Sequence, residues 1–491
     1  MALTGLLAGA PASLGADKPK AAKGGAGKAA PRKAGPKAGR LDRSFSGDGK
    51  SVTIFPRHDD GRYPNYRLPF EFAAGRIAIA NAGGGKLVAA NGAAIVRYLR
   101  SGGRDPHFGG GGAVPIGPIE GSNFQLADIA VDSKGRVLIA GTTRPRSEIG
   151  QEGSVPGPVS SVATIRRYLS NGQPDPAFGT EGIVNTDLGV PRPTFENQPY
   201  KESTVGVVGL AVDSANRPIV TGSAVTEVGR CKVSQDRFES STAIVARLAE
   251  NGALDSSFDG DGVKAVAGLS WLGSPLLSGS RLLSSGTKVE PCPRGGPDNP
   301  SVLVGLAADG SPDAGLRGSG SWSKPFTRIA DVAAAPKGKL VLLVRTIELV
   351  RGKWRESSGE AVRLRRNGSY DKSFGRGGIV DDLGATRRDS IEAIASDPAG
   401  RVLLAGTAFP ISKPGKKAPR AKFLLMRTTK DGLPDRTFGR RGRVTTGFGT
   451  RTNVQATDVL VVPGNRIVVG GKFSGPSTDT ALALARYLGR R

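Results

Sequence analysis

Apolar positions come in short runs bounded by Gly, Asn, Asp or Ser. Examples are LVAA after Lys86, VLIAG after Arg136, PIVTG after Arg217 and VLLAG after Arg401. Such runs are too short for helices and rich in strand formers, so they predict short strands joined by tight turns. A basic residue opens each run: Lys86, Arg136, Arg217, Arg281, Lys339, Arg401 and Arg466. Gly or Asn precedes most of them, which places a hairpin turn just before the strand. We read these seven basic residues as solvated turn positions. A further set of runs ends in arginine, at Arg97, Arg167, Arg247, Arg363, Arg427 and Arg486, with Gly305 in the arginine's place in one copy.

Between these strands one motif recurs seven times: Asp, a large apolar residue three positions on, and Gly seven positions on. The copies are Asp42-Phe45-Gly49, Asp105-Phe108-Gly112, Asp175-Phe178-Gly182, Asp255-Phe258-Gly262, Asp313-Leu316-Gly320, Asp371-Phe374-Gly378 and Asp435-Phe438-Gly442. Each Asp after the first lies eight residues beyond the arginine position, and a turn pair such as Asn171-Gly172 or Asp431-Gly432 sits between them. Asn-Gly and Asp-Gly supply the positive φ of tight turns. We read the motif Asp as a turn cap and the motif Phe as packing between repeats.

Each repeat, starting near 41, 104, 174, 254, 312, 370 and 434, thus holds four short strands. Small sheets with two apolar faces need neighbours on both sides, so seven of them predict an all-β, seven-bladed β-propeller over residues 41–491. An open array of β units is the competing arrangement. Arg486 has no downstream Asp and Asp42 no upstream arginine. Closure of a ring therefore predicts that these two meet, with ALALARYL beside the first repeat.

The combined pattern, RYL-SNG-QPDPAFGTEGIV followed by AVDS-x-x-R and a TG or AG strand end, resembles the delta-60 repeat family of bacterial β-propellers. The resemblance covers residues 41–488, closely in repeats two, three, six and seven and more loosely in four and five. It implies a propeller of the envelope or the secreted fraction and carries no catalytic residues.

Composition sharpens this picture. Gly at 72 and Pro at 34 of 491 residues fit many turns and argue against helices, and no Gly-X-Y period runs along the chain. Residues 1–16 resemble the core and cleavage region of a secretory signal peptide without its basic start, and 17–40 read as a basic Lys/Pro/Ala/Gly linker. No later stretch is long and apolar enough for a transmembrane helix. The formal charge is +26, a field that attracts polyanions. Nothing resembles a nucleic-acid-binding module, so no specific nucleic acid is expected.

With two histidines and no nucleophile elbow or P-loop, the sequence offers no catalytic, cofactor or metal residues and no cofactor. The variable segments 142–162, 223–242, 287–301 and 407–421 all fall between the basic-led strand and the arginine strand, so they project from one face. Lys413, Lys416, Lys417 and Arg420 make the last a candidate binding loop. Cys231 and Cys292 occupy equivalent segments of adjacent repeats, which predicts a disulfide between neighbouring loops. The expectation is an exported, monomeric, non-enzymatic scaffold binding a protein or an anionic envelope polymer or glycan. The alternative is a carbohydrate hydrolase or lyase with acidic residues at the channel mouth.

Overall fold

The computed structural model describes residues 38–54, 77–117, 122–145, 161–190, 194–195, 198–199, 205–230, 237–287, 301–350, 353–357, 359–381, 383, 389–410, 420–449, 452–474 and 481–489. They form seven antiparallel sheets of four main strands each, a seven-bladed β-propeller. Blade 1 is Ala78–Asn81, Leu87–Ala90, Ala94–Tyr98 and Ala113–Pro115. Blades 2 to 6 repeat this order along the chain, and blade 7 takes Asn453–Val462, Arg466–Ser474 and Ala481–Leu488. The fourth strand of blade 7 is Lys50–Ile54 from the other end of the sequence, paired with Ala481–Leu488 from Lys50↔Ala485 to Ile54↔Ala481. Among the described residues no helix is long and apolar enough to cross a membrane.

The sequence repeat and the sheet are offset by one strand. The strand after each Asp motif pairs with the arginine strand before it, as Ala113–Pro115 does with Ala94–Tyr98. Every repeat therefore hands its first strand to the preceding blade, and in the ring this is what locks the two chain ends together.

Seven apolar clusters, one at each junction, bury the blade faces. Phe108, fully buried, packs among Val88 and Ile95 of blade 1 and Ile129 and Val137 of blade 2. Phe45, fully buried, packs among Leu87 and Val96 of blade 1 and Val468 and Leu484 of blade 7. The motif Phe residues thus pack between blades, as the repeat pattern predicts.

The segment 223–242 differs from expectation. Most of it is strand, because Pro218–Arg230 and Arg237–Arg247 stay paired out to Arg230↔Arg237. Backbone pairing continues past a bulge between Val225 and Glu227 and extends these two strands as a hairpin, which the polar composition alone does not reveal. Cys231 and Cys292 lie outside the described residues, as do Lys413, Lys416 and Lys417.

Candidate anion-binding face

The motif turns build a repeated polar link between blades. Each motif Asp accepts, at Oδ1, the backbone N–H two residues on, as from Thr437 at 2.9 Å to Asp435, which caps the turn. Its Oδ2 accepts from the arginine eight residues back. Nε of Arg97, Arg167, Arg247, Arg363 and Arg427 lies 2.8, 2.7, 2.7, 2.7 and 2.8 Å from Oδ2 of Asp105, Asp175, Asp255, Asp371 and Asp435. The same guanidinium covers the motif Phe, with centroid distances from 4.3 Å for Arg427 over Phe438 to 4.9 Å for Arg247 over Phe258. It then reaches the next blade. Nη1 of Arg363 donates to the Lys430 carbonyl at 2.6 Å, and Arg97, Arg167 and Arg247 reach Ser170, Glu250 and Ala308 in the same way. The backbone N–H after each motif Phe or Leu adds a parallel bond to the turn pair of that next blade, such as Gly109 to Asn171 at 2.8 Å.

The seam copies this link without a covalent chain. Arg486 donates from Nε to Asp42 at 3.0 Å and lies 4.7 Å from the Phe45 ring centroid. The predicted meeting of Arg486 and Asp42 is thus observed. The missing turn pair is split between the two chain ends. The Gly489 carbonyl accepts from Arg427, and the Ala38 carbonyl accepts from Gly439 N–H at 3.1 Å. Gly39 takes the turn glycine's role with φ +83°; a Cβ there would fall 2.7 Å from Gly439 N, the same clash that Gly172 has with Gly109.

The basic hairpin residues are not solvated turn positions, which corrects the sequence expectation. Lys86, Arg217, Lys339 and Arg466 reach Asp105, Asp255, Asp371 and Asp42 at 2.9, 3.0, 2.7 and 2.7 Å. Arg136 lies 3.6 Å from Asp175 and also pairs with Glu250, while Arg401 pairs instead with Asp397 at 2.6 Å. Blade 4 shows why the position is basic. Gly305 removes the strand arginine there, and Arg281 from the hairpin replaces it, bonding Asp313 and the Arg366 carbonyl.

Burial works against charge on Asp42, Asp105, Asp255, Asp371 and Asp435, but hydrogen bonds and the adjacent cations outweigh it and hold all five below the usual carboxylate range. The exposed Glu250 is held down to about 2 by hydrogen bonds from Lys134 and Arg136. Depressed carboxyl values stabilise the fold above the unfolded-state pKa, near 3.9 for Asp, and that stability is lost as pH falls through the folded values. Urea midpoints should therefore stay flat from pH 7 to about 4 and fall steeply below, several carboxylates titrating together.

In a four-stranded meander the connections from strand one to two and from three to four emerge on the same side, so all motif turns and basic hairpins share one face. Its charge is lopsided. From blade 5 round to blade 1 the exposed turn positions carry Arg365, Arg366, Lys372, Arg376, Lys430, Arg436, Arg440, Arg441, Arg40, Arg43, Arg100 and Arg104. The exposed acids there are Asp431 and Asp48. Across blades 2 to 4 the same positions carry Glu181, Asp259, Asp261 and Asp309 against the cations Lys134 and Arg317. None of the twelve arc cations forms an ion pair among the described residues, so their charge faces solvent. The exposed aromatics Phe326 and Phe409 belong to connections on the other face, while Leu433 and Leu254 are exposed in the motif turns.

Sequence reading missed this arc because it sought charge in the long loops, whereas these cations occupy variable columns of the motif turn itself. Aligning the seven copies by column would have revealed them. Of the candidate loop's four basic residues only Arg420 is described; it is half-buried just ahead of Lys422–Arg427. No group of three or more His, Cys, Asp or Glu able to hold a metal occurs among the described residues.

No family model and no curated protein matches the chain. Among solved structures it is similar to polysaccharide lyase Uly1, with TM-score 0.49 and 9% identity over 93% of this chain and 98% of that one. It is also similar to a protein of unknown function from Dyadobacter fermentans, with TM-score 0.40 and 12% identity over 76% and 100%. A third is Trypanosoma rangeli sialidase, with TM-score 0.38 and 12% identity over 90% and 59%. The seven-bladed assignment rests on the sheet topology of this chain itself.

Proposed function

We propose that the protein is an exported, non-enzymatic propeller scaffold that binds an anionic envelope polymer or glycan. The observation that carries this reading is the basic arc: twelve solvent-facing cations on one rigid face, unneutralised among the described residues. Fixed cations on a rigid surface gain affinity for a linear polyanion by releasing its counterions, and they need no catalytic group to do so. The resemblance to delta-60 repeats and the signal-like residues 1–16 support placement at the envelope, where acidic polymers are abundant. The arc offers charge spacing and no aromatic stacking platform, which favours a polymer read by its charge over a nucleic acid read by its bases.

The test is binding of dextran sulfate and polygalacturonate to the full chain, with neutral dextran and duplex DNA as comparisons. Both acidic glycans should bind and neutral dextran should not. Arg436→Glu, Arg440→Glu and Arg441→Glu together should weaken binding at least tenfold and lower the log–log salt slope by about 2 to 3, at roughly 0.7–0.9 per lost contact. Equal affinity for DNA at matched charge density would overturn the assignment to a glycan. Shortened chains after incubation would overturn its non-enzymatic part.

A further inference from the structure

The junction of blades 4 and 5 departs from the other six, and its departures converge on one spot. Gly305 replaces the strand arginine, Leu316 replaces the motif Phe, and Gly315 stands where the other motifs have Ser44, His107, Ala177, Ser257, Ser373 and Thr437. Arg281 fills the missing arginine's place, but incompletely. Elsewhere the arginine's Nη2 donates to the serine of that column, from Arg247 to Ser257 at 2.8 Å, Arg486 to Ser44 at 2.9 Å and Arg363 to Ser373 at 3.2 Å. Gly315 has no hydroxyl, and Arg281 Nη2 has no hydrogen-bond partner among the described residues. Arg281 is only 4% exposed, so this donor is a buried polar atom that the fold itself does not satisfy.

Beside Gly315 lies an open depression of about 470 Å³ lined by Gly315, Lys337, Lys339, Arg365, Arg366 and Asn367, with the buried Arg281 just beneath this lining. Arg281 bonds both Asp313 and the Arg366 carbonyl, so its guanidinium sits between the two residue groups that border this space. Lys339 is committed to Asp371. Lys337, Arg365 and Arg366 have no carboxylate partner among the described residues, and Arg365 occupies a column filled elsewhere by Leu99, Leu169, Ala249, Ala307, Thr429 and Leu488. Lys337 also holds φ +64°, where the matching hairpins of blades 1 and 7 use Gly84 and Gly464. A lysine kept in left-handed backbone is a strain of the kind that collects at functional positions.

We propose that this depression is a discrete site for one tetrahedral oxyanion, a sulfate or phosphate group carried by the bound polymer. Lys337, Arg365 and Arg366 are the charges at its rim, and at its floor only the side-chain-free Gly315 stands in the column whose serine elsewhere satisfies the arginine's Nη2. The degenerate fifth repeat is then specialised: losing the motif serine at Gly315 leaves open the space that the added cations surround. This rests on the motif face being the polyanion surface, and it names the group recognised there.

The test is calorimetric titration of the full chain with sodium sulfate and with sodium phosphate, against sodium chloride at matched ionic strength. One saturable site is expected for at least one oxyanion and none for chloride. Gly315→Ser restores the serine of the sister repeats, and Ser257 and Ser373 show that the turn accommodates it. It should supply a hydroxyl to Arg281, fill the floor and lower oxyanion affinity at least tenfold. Arg365→Ala with Arg366→Ala should lower it as much from the rim. Unchanged oxyanion binding in both variants overturns the proposal, as does its absence in the wild type. Dextran sulfate binding without inorganic oxyanion binding would overturn this site and leave the polyanion face standing. Oxyanion binding without dextran sulfate binding would do the reverse. Preference for sulfate would mark a sulfated polymer, and preference for phosphate a phosphorylated one, each consistent with the site.

Discussion

A chain lacking residues 38–54 should fail to complete its ring and should lose its cooperative unfolding transition at 25 °C. This segment supplies the fourth strand of blade 7, the carboxylate that takes both Arg466 and Arg486, and the buried Phe45. Emptying the site of one buried Phe costs about 3–5 kcal/mol. Stripping a buried arginine of its carboxylate costs about 3–5 kcal/mol again. Those two losses alone approach the roughly 5–15 kcal/mol that keeps a domain folded. The truncation also exposes the outer edge of Ala481–Leu488, which keeps only its pairing with Arg466–Ser474. Near-UV circular dichroism and urea unfolding would record the loss, and a peptide spanning 38–54 added in trans should restore signal. An unchanged transition in the truncated chain would mean that the ends do not carry the closure.

Arg427→Ala should be the most damaging single substitution in the ring, costing about 3–5 kcal/mol. Arg427 is 2% exposed and holds three partners at once: Asp435, the Gly489 carbonyl of blade 7, and the face of Phe438. Its removal leaves Asp435 charged and buried with only the Thr437 hydroxyl and backbone N–H. The pH dependence follows. In the wild type, burial raises the Asp435 pKa, while the Thr437 hydrogen bonds and the Arg427 charge outweigh it and lower it. Without the arginine the carboxyl rises, so the variant's deficit should be largest at pH 7 and shrink as pH falls and Asp435 takes up its proton. Adding Asp435→Asn should recover part of the loss at pH 7, because a neutral amide is cheaper to bury than an unpaired carboxylate. Arg427→Lys keeps the charge but not the fork that spans two acceptors, so it should lie between the two. A deficit that does not change with pH would show that packing, and not the ion pair, makes Arg427 costly to lose.

The parts of this fold legible in the sequence are those encoded locally. Arginine, turn pair and Asp lie within nine consecutive residues, and a tight turn at the fourth and fifth positions after the arginine brings the two side chains together. The spacing of Arg486 and Asp42 from their missing partners exposed the seam for the same reason. What joined elements far apart in sequence was not legible. The hairpin cations Lys86, Lys339 and Arg466 meet an Asp far along the chain, and spacing that varies with loop length leaves no fixed interval to detect. Arg281 standing in for the arginine absent at Gly305 is a compensation between two strands, visible only once they are paired. The basic arc was hidden differently. Its residues differ in motif column, and only the ring gathers Arg376, Arg440 and Arg43 onto one surface. Sequence reading therefore placed recognition on the long loops, whose basic member 407–421 draws the eye, and left the regular turns as scaffold.

Arginine footprinting decides between those two faces most directly. The full chain would be treated with an arginine-selective dicarbonyl with and without saturating dextran sulfate, and modification mapped by mass spectrometry. Protection of Arg376, Arg436, Arg440 and Arg441, with Arg217, held by Asp213 and Asp255, unaffected, is the expected result. Protection confined to Arg420, with the motif-turn arginines modified at their free rate, would contradict the anion-binding face.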